Sequence, residues 1–208
     1  MEQRQRTLGV LLFPGFELLD VFGPLEAFGI RASRALFDPV LVGQHAGPVE
    51  SAQGPCAVAD IGLTDPRALD MILVPGGFGT RKGVDNLLFR SWIAERSASA
   101  DLVMSVCTGA AMLARAGVLD GRRATSNKLA FQWVETQGPR VKWVKKARWV
   151  EDGKFFTSAG VSAGIDMSLA VVAKIAGAEL AAEAAKQMEY EWHRDAEWDP
   201  FAEVHGLA

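Results

Sequence analysis

The sequence is poor in the residues from which disulfide frameworks and metal centres are built. It has two cysteines, Cys56 and Cys107, and three histidines, His45, His193 and His205. Two widely spaced cysteines make no disulfide framework. No spacing of Cys, His and carboxylate residues matches a metal site, so no metal is expected. An excess of one charge is missing too. A formal net charge of -3 gives no electrostatic reason to expect nucleic acid or an anionic membrane as a partner. The apolar runs are far shorter than a bilayer span, so no membrane helix is expected. The start, Met1-Glu-Gln-Arg-Gln-Arg, is polar and leads into a short strand, unlike a secretory leader; a reducing, cytoplasmic setting is expected. No internal repeat, low-complexity tract or linker divides the chain. Its 208 residues, 49% of them apolar, suit one domain over 1–208 with a substantial core.

What is present is an alternation of strand and helix signals. Leu8 to Phe13 is a continuous apolar run, the pattern of a strand buried on both faces, and Pro14-Gly15 ends it. Leu18 to Ile30 reads as a helix that Gly23-Pro24 either kinks or delays. Strands are predicted at Phe37 to Val42, Met71 to Val74 and Leu102 to Val106, and a hairpin or excursion at Val49 to Ile61. Helices are predicted at Leu87 to Ala98, Gly109 to Ala116, Lys128 to Thr136, Ser162 to Ala176 and Ala178 to Asp195. Val141 to Val150 and Lys154 to Thr157 flank Asp152-Gly153, a hairpin signal. The basic residues Arg140, Lys142, Lys145, Lys146, Arg148 and Lys154 alternate with Val and Trp and read as the solvated face of a strand. The alternation predicts an α/β fold, a mainly parallel sheet with helices on both faces. Ligands of such sheets bind beyond the carboxyl ends of the strands, where Pro14–Asp20, Pro75–Gly79 and Cys107–Gly109 should converge.

Cys107 stands between a short apolar strand and a helix, flanked by small residues, in Met104-Ser-Val-Cys-Thr-Gly-Ala110. A side chain on such an elbow is pushed out at the sheet edge. A helix start can also lower a thiol's pKa. The residue is a candidate nucleophile; a buried structural cysteine is the competing reading. Cys56 lacks this context and reads as part of a strand. After the strand ending at Val74, the glycines Gly76 and Gly77 free backbone N–H groups to face a ligand. The N–H groups of Gly77 and Thr108 could together hold a developing anion. Gly77-Phe-Gly79 is not a dinucleotide fingerprint, because the third glycine is misplaced and no helix opens directly. Asp20, set among Leu18, Leu19, Val21 and Phe22, is either a desolvated acid able to share protons or a helix cap. Glu17 reads as a solvated loop residue. None of the histidines accompanies the cysteine, so a Cys–His dyad has no evident base.

These segments resemble the ThiJ/PfpI superfamily, related to class I glutamine amidotransferases. The carriers are Leu11-Leu-Phe-Pro-Gly15, Leu19-Asp-Val-Phe-Gly-Pro-Leu-Glu26, Asp70-Met-Ile-Leu-Val-Pro-Gly-Gly77, Ser105-Val-Cys-Thr-Gly-Ala110, Leu119-Asp-Gly-Arg-Arg-Ala-Thr125 and Ser158-Ala-Gly-Val-Ser-Ala-Gly-Ile-Asp-Met-Ser-Leu169. They lie within about residues 7–190, leaving the C-terminal helix and tail over 178–208. The resemblance implies a flavodoxin-like fold. Asp20 followed by Val-Phe-Gly-Pro, with the Ser-Val-Cys-Thr-Gly elbow, looks most like isonitrile hydratase and also like the sensor half of AraC-type regulators. It implies a lyase with Cys107 as nucleophile, Asp20 as proton carrier, Gly77 and Thr108 as backbone donors, and no cofactor. It also implies a small-molecule substrate and a homodimer. Many members carry a histidine where this chain has Ser126-Asn127. Asn127, like Gly76, can orient a substrate but cannot act as a general base. A glyoxalase or deglycase acting on methylglyoxal-type carbonyls, and a non-catalytic redox sensor, are the alternatives. Trp192, Trp198 and Phe201 read either as an interface or pocket wall, or as ordinary packing of the last helix.

Overall fold

A computed structural model describes residues 4–207; the polar start at Met1–Gln3 lies outside the described residues. In chain order the first half comprises β1 (Arg6–Leu11), α1 (Leu18–Gly29), β2 (Phe37–Gly43), β3 (Gly47–Glu50), β4 (Cys56–Ala59), β5 (Ile61–Gly62), β6 (Met71–Val74), α2 (Thr80–Gly83), α3 (Leu87–Ser99) and β7 (Leu102–Ser105). The second half comprises α4 (Gly109–Arg115), β8 (Arg123–Ala124), α5 (Phe131–Gln137), β9 (Lys142–Trp143), β10 (Trp149–Asp152), β11 (Phe155–Ser158), α6 (Ala163–Ala176), α7 (Ala178–Gln187) and α8 (Phe201–Val204).

Seven strands form the central sheet in the order β10-β11-β7-β6-β1-β2-β5, and only the β10–β11 pair is antiparallel. Every residue of β6 and β7 is buried, as helices on both faces require. From β1 the chain turns to β2 on one side, whereas from β6 it turns to β7 on the other. Loops leaving the ends of β1 and β6 therefore diverge and open a crevice between them, the switch point of a doubly wound sheet. This is the expected flavodoxin-like α/β architecture. β3 and β4 form the expected antiparallel excursion outside the main sheet.

Four local expectations are corrected. α1 begins at Leu18 with Pro24 inside it, so the proline does not delay the helix. α5 starts at Phe131 and excludes Lys128. The Lys128 ammonium is instead drawn inward to bond Thr125 Oγ1 at 2.7 Å and the Ala147 carbonyl at 2.9 Å. α7 stops at Gln187 instead of reaching Asp195. Beyond it the tail is tied to α6: the Trp192 indole N–H donates to the Asp166 carbonyl at 3.2 Å, and the His193 N–H to the Asp166 carboxylate at 2.9 Å.

The fourth correction concerns the basic run. Val141 to Val150 is not one strand, and Arg148 is not solvated. It is buried and ion-paired with fully buried Asp166 at 2.5 Å. Lys154 donates to the Ser97 and Ala100 carbonyls at the end of α3, at 2.6 and 3.1 Å, the favourable place for a cation.

Candidate active site

Cys107 follows β7 at a sharp turn. Its φ is 57°, in the left-handed region that costs a non-glycine residue roughly 1–2 kcal/mol. Three contacts hold it there. The Cys107 N–H donates to the Ala159 carbonyl at 3.0 Å, the Ser126 hydroxyl donates to the Cys107 carbonyl at 2.7 Å, and the Gly109 N–H closes the turn on Val106 at 2.9 Å. Gly109 must be glycine, since a Cβ there would press into the carbonyl oxygens of Val74 and Pro75. The elbow therefore follows from Cys-Thr-Gly after a buried strand.

Asp20 comes to the same place from α1, in its first turn. Glu17 is the residue at the helix cap, so the capping reading of Asp20 is not taken. The Asp20 carboxylate instead accepts the Gly76 N–H at 2.8 Å, fully buried, and its second oxygen has no N–H or O–H partner among the described residues. A Cβ on Gly76 would stand 2.8 Å from that carboxylate, 2.8 Å from Cys107 Cβ and 2.6 Å from the Thr108 nitrogen. Gly76 is thus the spacer around which acid and thiol meet.

Burial holds both groups neutral. Burial, reinforced by the charge of Glu17, raises the Asp20 pKa from 3.8 to about 7 against the opposing Gly76 N–H and the Cys107 thiol. Burial first, and the Asp20 charge second, also push the Cys107 thiol up. The N–H groups of Thr108 and Val161 and the Thr108 hydroxyl oppose that rise without cancelling it. An exposed, low-pKa thiolate is therefore corrected: Cys107 is 7% exposed and rests as a thiol. Desolvation outweighs a seven-residue helix start.

Other site residues fall as follows. The Gly77 N–H is turned to the Thr108 hydroxyl at 3.1 Å, and the Thr80 hydroxyl donates to the Gly77 carbonyl at 2.7 Å, so Gly77 braces the elbow here. Asn127 Oδ1 accepts the Ala130 N–H at 3.1 Å, leaving the amide at the cavity wall against Gly160. A cavity of about 380 Å³ opens over Cys107, lined mainly by carbon and reached by Thr108, Asn127, Phe78, Arg81, Glu17 and Val161.

Glu17 is half-buried against this cavity and partly solvated, with the Gln53 amide donating to it at 2.6 Å. Val161, at φ 28°, and Arg81, stacked 3.3 Å over Trp133, have no counterpart in the sequence reading. Arg81 was within reach of inference, because it follows the Pro-Gly-Gly turn at the same sheet end. Nothing in the local sequence marks the Val161 N–H as a partner of the sulfur. Among the described residues no three His, Cys, Asp or Glu side chains gather closely enough to hold a metal ion.

A profile of the DJ-1/PfpI family matches residues 6–174. The chain belongs to the DJ-1/PfpI family. Among its DJ-1/PfpI relatives, the isonitrile hydratase of Pseudomonas putida is 34% identical over 183 residues, covering 88% of this chain and 78% of that enzyme. The transcriptional regulator CdhR of Pseudomonas aeruginosa is 29% identical over 85% of this chain, which spans only 53% of the regulator. A ThiJ/PfpI family protein from Pseudomonas syringae superposes with a TM-score of 0.83 at 30% identity, covering 91% of this chain and 77% of that one. DJ-1/PfpI proteins thus include an enzyme and regulators on one scaffold.

Proposed function

We propose that this protein is a cysteine-dependent hydratase that converts an isonitrile and water into an N-substituted formamide. The observation that carries the reading is the buried Asp20 carboxyl placed beside Cys107 by Gly76, under a mainly apolar cavity. The likeness to an isonitrile hydratase supports it.

A neutral acid beside a neutral thiol suits this chemistry. The terminal isonitrile carbon carries a lone pair and accepts a proton from the Asp20 carboxyl. Sulfur attacks that carbon as the thiol proton passes to the Asp20 carboxylate, giving a thioimidate, R–N=CH–S–Cys107. Asp20 then protonates the imidate nitrogen and takes a proton from the attacking water. The adduct R–NH–CH(OH)–S–Cys107 collapses as the C–S bond breaks. Its hydroxyl proton returns to sulfur through Asp20, and R–NH–CHO leaves. Thr108 and Val161, whose N–H groups face the sulfur, steady the charge that develops on it. No preformed thiolate is needed.

The test is formamide production from p-nitrophenyl isocyanide by the purified protein, with methylglyoxal as the competing substrate. Cys107→Ser and Asp20→Asn should each lower isonitrile turnover by roughly 10²-fold or more. Turnover of methylglyoxal alone, or isonitrile turnover that survives Cys107→Ser, refutes the hydratase reading.

A further inference from the structure

We infer that a second cavity, of about 240 Å³, is the subsite for the group carried on the isonitrile nitrogen, and that it takes an uncharged aromatic or alicyclic ring. The inference rests on the hydratase reading for the identity of the reacting group. It rests on three observations for the place and the chemistry.

The first is continuity. Asn127, Leu129 and Val161 line both this cavity and the one over Cys107. A substituent leaving the reacting carbon past Asn127 therefore enters a second prepared space.

The second is charge. Two cations line the subsite, and both are already paired in buried positions: Lys128 with Asp199 at 3.0 Å, and Arg148 with Asp166 at 2.5 Å. A charged guest would find no free counter-ion in these pairs. What remains is mostly carbon, from Leu129, Val161, Ala163 and Phe201, with Asn127, Ser162 and His205 as the other polar side chains. Apolar cavities of roughly 150 Å³ hold a benzene ring, so the space suffices for a ring and not merely for a methyl group.

The third is origin. Asp199, Phe201 and His205 belong to the tail, beyond residue 174 where the family match ends. The tail is nonetheless fixed. Asp199 reaches Lys128 in the loop that carries Ser126 and Asn127, and the Arg148 N–H donates to the Ala196 carbonyl at 2.7 Å. A segment outside the common pattern thus supplies one wall of the space next to the reacting pair, which is where substrate choice is made.

The experiment compares benzyl isocyanide with methyl isocyanide on the full chain and on two variants. Phe201→Ala removes a wall residue that is 54% exposed, so the fold is retained. Ser162→Trp fills the cavity from an exposed position before α6. The wild type should favour the benzyl compound by tenfold or more in kcat/KM, and each variant should reduce that ratio at least tenfold. A ratio within twofold of unity in the wild type, or one that neither variant changes, overturns the subsite. If the wild type turns over neither compound, the hydratase reading fails, and the subsite is tested by calorimetry with N-benzylformamide. Binding that Ser162→Trp weakens tenfold supports the subsite; no binding, or equal binding to both proteins, overturns it.

Discussion

At Asp20, burial raises a carboxyl from its ordinary 3.8 to about 7, and both activity and stability inherit that shift. Because the folded state binds this proton more tightly than the unfolded chain does, Asp20 favours folding at low pH. Its contribution is lost as pH rises from about 4 towards 7 and is constant above that. Replacing Asp20 with Asn should therefore help stability more at pH 7.5 than at pH 4.5, by up to about 3 kcal/mol on conversion of the part of the shift that falls between those values. Urea denaturation at the two pH values measures the difference, and equal effects would show that the carboxyl is not held neutral. In the mechanism proposed, the acid must begin protonated. The wild-type kcat/KM for an isonitrile should then fall about tenfold per pH unit above 7, and a rate that climbs with pH would require a thiolate in place of the acid.

At the scale of elements, α6 and the strands beside it are joined to the tail by buried charges. Breaking the Arg148–Asp166 pair by Asp166→Asn leaves a buried cation facing an uncharged amide and should cost about 3–5 kcal/mol. The double variant Arg148→Met with Asp166→Leu should recover most of that loss, as thermal or chemical denaturation will show; no recovery would mean that the hydrogen bonds from His193, not the pair, dominate. The same pair shows what the sequence could convey. The strands β1, β6 and β7 were legible because parallel strands covered on both faces must be unbroken apolar runs. The Cys107 elbow and Asp20 were legible because small residues and an acid in apolar company are unusual. Arg148 was misread because alternation of Arg with Val and Trp is the same whether the charge meets water or Asp166. That partner lies 18 residues on. The thiol's upward shift was hidden likewise, since burial is a property of α1, β6 and the loop at Val161 together.

For the whole molecule, the seven-stranded sheet and two small pairs, β3–β4 and β8–β9, hold the described strands, and no helix among the described residues is long and apolar enough to cross a membrane. Leu19 and Phe22 on α1 are left more than two-fifths exposed, an apolar face suited to a second copy. We expect a homodimer in solution, read by light scattering as twice 22.4 kDa, with Phe22→Lys shifting the mass towards one chain. A monomeric wild type would leave that face without the proposed role.

Cys56 lies exposed on β4, whereas Cys107 is covered. Any alkylating reagent applied to the native protein will meet Cys56 first, and oxygen in storage will join copies through it. Labelling stoichiometry near one per chain therefore says nothing about the elbow. A Cys56→Ser background, followed by peptide mapping, is the preparation in which sulfur chemistry at Cys107 becomes readable.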